Sequence, residues 1–273
     1  MKYELENDIR GKKLTELISE NVGGVTLNVI KHQIKIGEVK VNGVKVRDNI
    51  ALESGDRVSL FMPKDAVRMP PVRTVYLDYN IIAVDKPVGA DTEHNLVNML
   101  NEVYGTQYYP VHRLDRNTSG LVLLAKDRDS ERLLSDAIKA RSIRKFYRAL
   151  VYGHFDEKEF TDTAYLTKND KKSTVRVSDE KSDGALQIIT KFRVTAEFDD
   201  YSEVEVELVT GRTHQIRAHA AYLGHPILGD GKYAPRDVLE KFDYKFQQLR
   251  AVKLIFGGLK GKLSYLNGLT LQV

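Results

Sequence analysis

His112-Arg113-Leu114-Asp115-Arg116-Asn117-Thr118-Ser119-Gly120-Leu121 sets one carboxylate between two arginines and ends in a Thr-Ser-Gly turn. The apolar run Leu121-Val122-Leu123-Leu124 follows at once. Nearby positive charge favours the ionised form of a carboxylate. An ionised carboxylate beside an apolar strand can serve as a nucleophile or a base. The same Arg-x-Asp-Arg pattern also describes a surface turn with an ordinary ion pair. The rest of the chain decides between the two.

Downstream of this segment, short strands dominate. Phe146 to Tyr152, Thr174 to Val177, Gln187 to Ala196 and Ser202 to Val209 carry strand patterns, with helices over Ser130 to Ala140 and Ile216 to Leu223. Upstream, Val75-Tyr76-Leu77 and Ile81-Ile82-Ala83-Val84 flank a turn, Asp85-Lys86-Pro87-Val88-Gly89 reads as a loop, and Leu96 to Val103 as a short helix. Helices scattered among many strands indicate an α+β fold, a mainly antiparallel mixed sheet with flanking helices.

Residues Lys12 to Phe61 form a separate, smaller pattern. Leu14, Leu17 and Ile18 recur at helical spacing, and Val29 to Ile36 reads as a second helix bearing Lys31, His32 and Lys35. Val39 to Val46 alternates around Asn42-Gly43, a strong hairpin signal. Val58 to Phe61 closes the unit as a strand. Three prolines and three charges between Met62 and Pro71 mark an exposed connection. The expected organisation is a small α/β domain at 1–61, a linker at 62–73 and a larger domain at 74–273.

The 273 residues carry 42 Lys+Arg against 38 Asp+Glu, a net charge of +4 that permits a polyanionic partner without demanding one. With 0 cysteines, thiol catalysis, thiolate metal sites and disulfides are excluded. The acidic start Met1-Lys2-Tyr3-Glu4-Leu5-Glu6 has no apolar signal region, and no apolar run approaches ~18 residues. A cytoplasmic monomer with no membrane association is expected. His214, His219 and His225 do not form a metal pair at i, i+4 spacing and have no intervening Glu, so no metal is expected. Gly229-Asp230-Gly231 lacks the strand and helix context of a phosphate loop and reads as a turn.

Four blocks carry a resemblance. They are Lys86-Pro87-Val88-Gly89, the Asp115 segment, Arg144-Lys145-Phe146-Tyr147-Arg148-Ala149-Leu150-Val151-Tyr152-Gly153, and Leu208-Val209-Thr210-Gly211-Arg212-Thr213-His214-Gln215-Ile216-Arg217-Ala218-His219, the last followed by Leu223-Gly224-His225-Pro226-Ile227-Leu228-Gly229-Asp230 with Lys232-Tyr233 just after. In this order the chain resembles the RluA-type pseudouridine synthases. Residues 1–61 resemble the small RNA-binding domain named after ribosomal protein S-four. Two stretches depart from the family pattern: Ala90-Asp91-Thr92-Glu93-His94 after Gly89, and Leu249-Arg250-Ala251, where Arg stands for the usual His.

The resemblance implies an isomerase that converts uridine to pseudouridine with no cofactor. It implies Asp115 as the catalytic carboxylate, Arg217 as its cationic partner (Arg212 being the alternative), and Tyr147 against the target base. Phe146 and Tyr147 alternate on a strand, so one is expected in the core and one in the cleft. Arg113, Arg212, His112 and Lys86 are expected to bind substrate, Arg113 by clamping or replacing a flipped nucleotide. Lys31, Lys35, Lys40 and Lys45, with Arg144 and Lys145 from the basic tract 139–148, are expected to track an RNA backbone. The implied partner is RNA, ribosomal RNA of the large subunit being favoured over transfer RNA. The rival readings are a non-catalytic RNA-binding or ribosome-assembly protein and a glycosidase. The glycosidase normally needs two opposed carboxylates, and one stands out here.

Overall fold

The computed structural model describes residues 2–22, 25, 27–62, 72–169 and 174–273. The linker expected over 62–73 lies, at 63–71, outside these described residues. The chain forms two compact units, residues 1–113 with 123–131, and residues 114–122 with 132–273.

The first unit begins with β1 (Lys2–Glu6), α1 (Leu14–Asn21), α2 (Leu27–Lys35), β2 (Val39–Val41), β3 (Val44–Val46) and β4 (Arg57–Phe61). The four strands are ordered β1-β4-β2-β3, each pair antiparallel. The Asn-Gly hairpin forms as expected, because Asn42 (φ 50) and Gly43 (φ 81) adopt the positive φ that such a two-residue turn requires. Leu14, Ile18, Ile30, Ile34, Val39 and Leu60 pack into one core between helices and sheet. Strand β1 alternates exposed Lys2, Glu4 and Glu6 with half-buried Tyr3 and Leu5, the period-two pattern of a strand with one face in water.

The same unit continues with β5 (Arg73–Leu77), β6 (Ile81–Lys86), one π-helical turn at Thr92–Leu96, α3 (Val97–Tyr104) and β7 (Tyr109–Pro110). Strand β6 runs through Asp85 and Lys86, correcting the loop expected from Asp85 to Gly89. Strand β8 (Ser119–Ala125) and helix α4 (Arg128–Lys139) each divide between the units. The far end of β8 pairs with β7 in the first unit.

The second unit holds β9 (Ile143–Tyr152), β10 (Glu159–Asn169), β11 (Thr174–Ser178), β12 (Leu186–Glu197), β13 (Tyr201–Leu208), α5 (Gln215–Tyr222), α6 (Arg236–Phe242), β14 (Leu249–Phe256) and β15 (Thr270–Gln272). Its strand order is β11-β10-β12-β13-β9-β14-β8, with β15 beside β14. Every pair given by register is antiparallel except β14 with β8, so the sheet is mainly antiparallel and mixed, as expected for the α+β class. Period-two burial separates its faces. Thr190, Phe192, Val204 and Val206 point inward, while Glu203, Glu205 and Glu207 point outward with Lys191 and Arg193. Among the described residues no helix is long and apolar enough to cross a membrane.

Candidate active site

The Asp115 segment is fixed from both ends of its turn. The Thr118 amide donates to the Asp115 carbonyl at 3.0 Å, and Gln247 Nε2 donates to Thr118 Oγ1 at 2.7 Å. Gly120 (φ +110) then lies so close to β14 that a Cβ there would stand 2.0 Å from the Ala251 carbonyl oxygen. Only glycine permits that approach. The turn and the parallel β8/β14 pair therefore fix where the carboxylate projects.

The cation arrives on α5, whose start is a web of buried polar groups. Gln215 Oε1 accepts from Thr210 Oγ1 (2.9 Å) and from the Arg212 amide (3.1 Å). Its Nε2 donates to the Ile189 carbonyl (3.1 Å) and Thr190 Oγ1 (3.0 Å). The Thr190 hydroxyl is left to donate to His219 Nδ1 at 2.8 Å, and His219 Nε2 to donate to Asp162 at 2.6 Å. Helix α5 is thereby pinned to β12 and β10. Burial lowers the His219 pKa, with Asp162 pulling the other way.

Arg217 occupies the next position of consequence. Its Nε and NH2 donate to the two oxygens of Asp230, each at 2.7 Å, while NH1 donates to Asp115 Oδ2 at 2.8 Å. The two carboxylates differ in solvation: the Asp230 side chain is 0% exposed and that of Asp115 is 22% exposed. Burial opposes the charge on Arg217, yet its pKa is raised, because Asp230 and then Asp115 outweigh that penalty. Of the two arginines the sequence left open, Arg217 is the partner of Asp115; Arg212 is exposed.

Asp230 corrects the reading of Gly229-Asp230-Gly231 as a plain turn. The turn exists, but its acid is completely buried against Arg217. The missed signal is arithmetic. A guanidinium has five N–H donors, and a buried one cannot be satisfied by a single carboxylate that must also face substrate.

Two further side chains complete the site. His214, at φ 54, precedes α5 without capping it through its side chain. The Val175 amide donates to Tyr233 Oη (3.0 Å), so the phenol in turn donates to His214 Nδ1 (2.8 Å). That places the imidazole proton on Nε2, 3.8 Å from Asp115 Oδ2. Burial lowers the His214 pKa against the pull of Asp115. Tyr233 also lies under the guanidinium, 5.2 Å from its carbon. Neither residue is separable by pattern from ordinary helix-start and turn residues.

Tyr147 and Phe146 are both buried and turn to opposite faces of the sheet, as strand alternation expects. Tyr147 faces the Asp115 side. Burial, then the Asp115 charge, raises its pKa and keeps the phenol neutral. Phe146 is covered on the opposite face by Lys253 (4.1 Å) and Arg144 (4.9 Å) over its ring.

The basic tract 139–148 also divides. Arg144 meets Glu207 with two bonds, 2.8 and 2.9 Å, so its fork is already filled. Lys145 is buried beside Tyr147 on the inward face. In the first unit Lys31, Lys35, Lys40 and Lys45 are all exposed, and Lys40 stands opposite Lys45 in the hairpin. Arg113 is exposed and pairs with Glu93 at 2.8 Å. His112 Nε2 accepts from the Leu123 amide at 3.0 Å. Lys86 is fully buried, its Nζ donating to the carbonyls of Ala90 (2.7 Å) and Pro87 (3.1 Å).

Comparison with known proteins places this geometry. A family model described as RNA pseudouridylate synthase matches residues 80–222. A protein of Vibrio cholerae called ribosomal large subunit pseudouridine synthase C is 29% identical, over 85% of this chain and 80% of the relative. A protein of the same name from Salmonella typhi is 31% identical, over 84% of this chain and 78% of the relative. Among solved structures, human RNA pseudouridylate synthase domain containing 1 shares the fold with a TM-score of 0.62 at 24% identity, covering 70% of this chain and 84% of that one.

Proposed function

Because the chain belongs to the RNA pseudouridylate synthase family, we propose that it isomerises specific uridines of large-subunit ribosomal RNA to pseudouridine, with Asp115 as the catalytic carboxylate. The carrying observation is the single guanidinium of Arg217 shared between a buried carboxylate and a partly exposed one. Asp230 holds the arginine. The arginine holds Asp115, which alone of the two can meet a substrate.

The reaction breaks the bond between the sugar C1′ and the base N1, turns the uracil, and joins its C5 to C1′. The C5 proton is lost and N1 gains one, so no donor or redox partner is needed. Asp115 acts at the sugar or the base. Arg217 balances its charge through a bidentate-capable, permanently charged fork. Tyr147 offers an aromatic face to the flipped base, a contact worth ~1–3 kcal/mol. Being neutral, its hydroxyl serves as a hydrogen-bonding group rather than a phenolate.

Ribosomal RNA as the target rests on the names of the relatives. Residues 1–61 act in this reading as an S-four-like RNA-binding domain of a monomeric cytoplasmic enzyme. Lys31, Lys35, Lys40 and Lys45 support it, since among the described residues they have no acidic partner. Lys45 and Arg47 lie beside Gly37 at the end of α2, which draws the helix and hairpin cations together. Arg113, Arg212 and His112 remain as substrate contacts, Arg113 after release from Glu93. Lys86 supports the loop that follows it.

Pseudouridine mapping of total RNA from cells with and without this protein tests the reading. Loss of one or more sites in large-subunit ribosomal RNA is expected. Loss confined to transfer RNA would overturn the target, and an unchanged map would overturn the activity.

A further inference from the structure

Among the described residues, Lys145 is a cation without an anion. Its side chain is buried, with 9% of the residue's surface exposed. Among the described residues it makes no side-chain hydrogen bond and no ion pair. Its neighbour Arg144, one residue earlier on the same strand, is fully engaged by Glu207. The contrast is not one of composition. It follows from strand alternation, which turns Arg144 to the outward glutamates and Lys145 to the inward face with Tyr147.

A buried ammonium is costly unless something neutralises it. Burial alone lowers the Lys145 pKa, with no carboxylate to oppose it. The Lys145 Nζ lies 3.0 Å from where a Cβ on Gly211 would stand, so the ammonium packs against bare backbone that any side chain at 211 would crowd. The residue after Gly211 is the exposed Arg212. Along β9, Lys145 precedes Tyr147 by two residues, about 7 Å on the same face, and Tyr147 feels the charge of Asp115.

We infer that Lys145 is the binding site for a phosphodiester of the target nucleotide, holding the sugar–phosphate of the flipped uridine while Tyr147 and Asp115 face its base and sugar. Before the bond breaks, a phosphodiester is the anionic group of a uridine nucleotide, and an ammonium is a compact point charge suited to it. Arg212, beside the bare glycine flank, extends the same subsite toward solvent. The inference rests on the pseudouridine synthase reading and refines it: Lys145 leaves the general backbone-tracking set and joins the active site, while Arg144 stays on the outward face with Glu207.

The test uses the whole protein and an unmodified RNA transcript in which the wild type forms pseudouridine. Absence of any such transcript counts against the activity, whereas the behaviour of Lys145→Met counts for or against this subsite. Lys145→Met is expected to raise KM about tenfold, with the loss falling on KM rather than kcat, as for a contact made equally before and during reaction. It is also expected to flatten the plot of log affinity against log salt by about one phosphate contact, ~0.7–0.9 in slope. Its melting temperature is expected to equal or exceed that of the wild type, since an unpaired buried charge has been removed. An unchanged KM and salt slope would overturn the subsite. So would a loss confined to kcat, which would move the contact to the base, or a collapse in melting temperature, which would make Lys145 structural. Independently of any variant, a neutral methylphosphonate linkage flanking the target uridine should weaken wild-type binding about tenfold on one of its two sides. No weakening on either side would overturn the inference.

Discussion

The two faces of the second unit's sheet are built from the same residue types and treat them oppositely. Outward, Glu203, Glu205 and Glu207 are flanked by Arg148, Arg193, Lys253, Arg144 and Lys191 in cross-strand pairs. Several of these cations are about half exposed, so water screens them and each pair contributes little. Inward, Arg217, Asp230, Asp115 and the His219–Asp162 pair form fewer pairs, with side-chain exposures between 0 and 33%. There every unpaired charge is expensive and every position is held. What separates the two faces is the burial of the cation: Arg217 is 7% exposed, whereas Arg144 and Arg193 are about half exposed, although Glu207 and Asp115 are themselves exposed to similar degrees.

The sharpest way to break that contrast is at Arg217. Arg217→Met leaves Asp230 buried without its cation and should cost about 3–5 kcal/mol of stability while abolishing activity. Replacing both partners, Arg217→Met with Asp230→Leu, should recover most of the stability and none of the activity, because two apolar groups can replace a buried pair in packing. Chemical denaturation of the two variants against the wild type checks this. Equal stability of all three would mean the inward pair is no more valuable than an outward one.

His219 gives the next effect, through pH. Its folded pKa lies below the ordinary 6.5 because of burial. On acidification the unfolded chain therefore binds the proton first. The stability contributed by neutral His219 is complete above about pH 6.5 and is lost as pH falls through the folded value. The melting temperature should drop between pH 7.5 and 5.5, and His219→Gln should make that drop shallower. An identical drop in both proteins would remove His219 from the acid response.

Glu207→Gln probes the outward face and should do least, about 0.2–1 kcal/mol. A thermal melt in low and high salt checks it. A loss comparable to that of Arg217→Met would erase the distinction between the faces.

Much of this was legible in the amino-acid sequence. The Asn42-Gly43 hairpin, helices α1, α2, α4 and α5 and most inner strands follow from turn chemistry and periodicity. Asp115, Tyr147 and Arg217 came from the order of the motifs. The misses have one cause. Asp230 looked like a turn residue and Lys86 a loop residue, because sequence records a charge but not what lies across from it. Asp230 meets a guanidinium that projects from α5, and Arg144 meets a glutamate 63 residues later in the chain. Such partners are set by the fold.

The central claim is that Arg217 serves two carboxylates in two ways, one for the fold and one for chemistry. Asp115→Asn separates them, since Arg217 keeps both bonds to Asp230. The direct measurement is the single-turnover rate of pseudouridine formation by this variant beside its melting temperature. The expected rate is lower by on the order of 10²–10⁴-fold, with a melting temperature close to that of the wild type. A wild-type rate in a folded Asp115→Asn protein would contradict it.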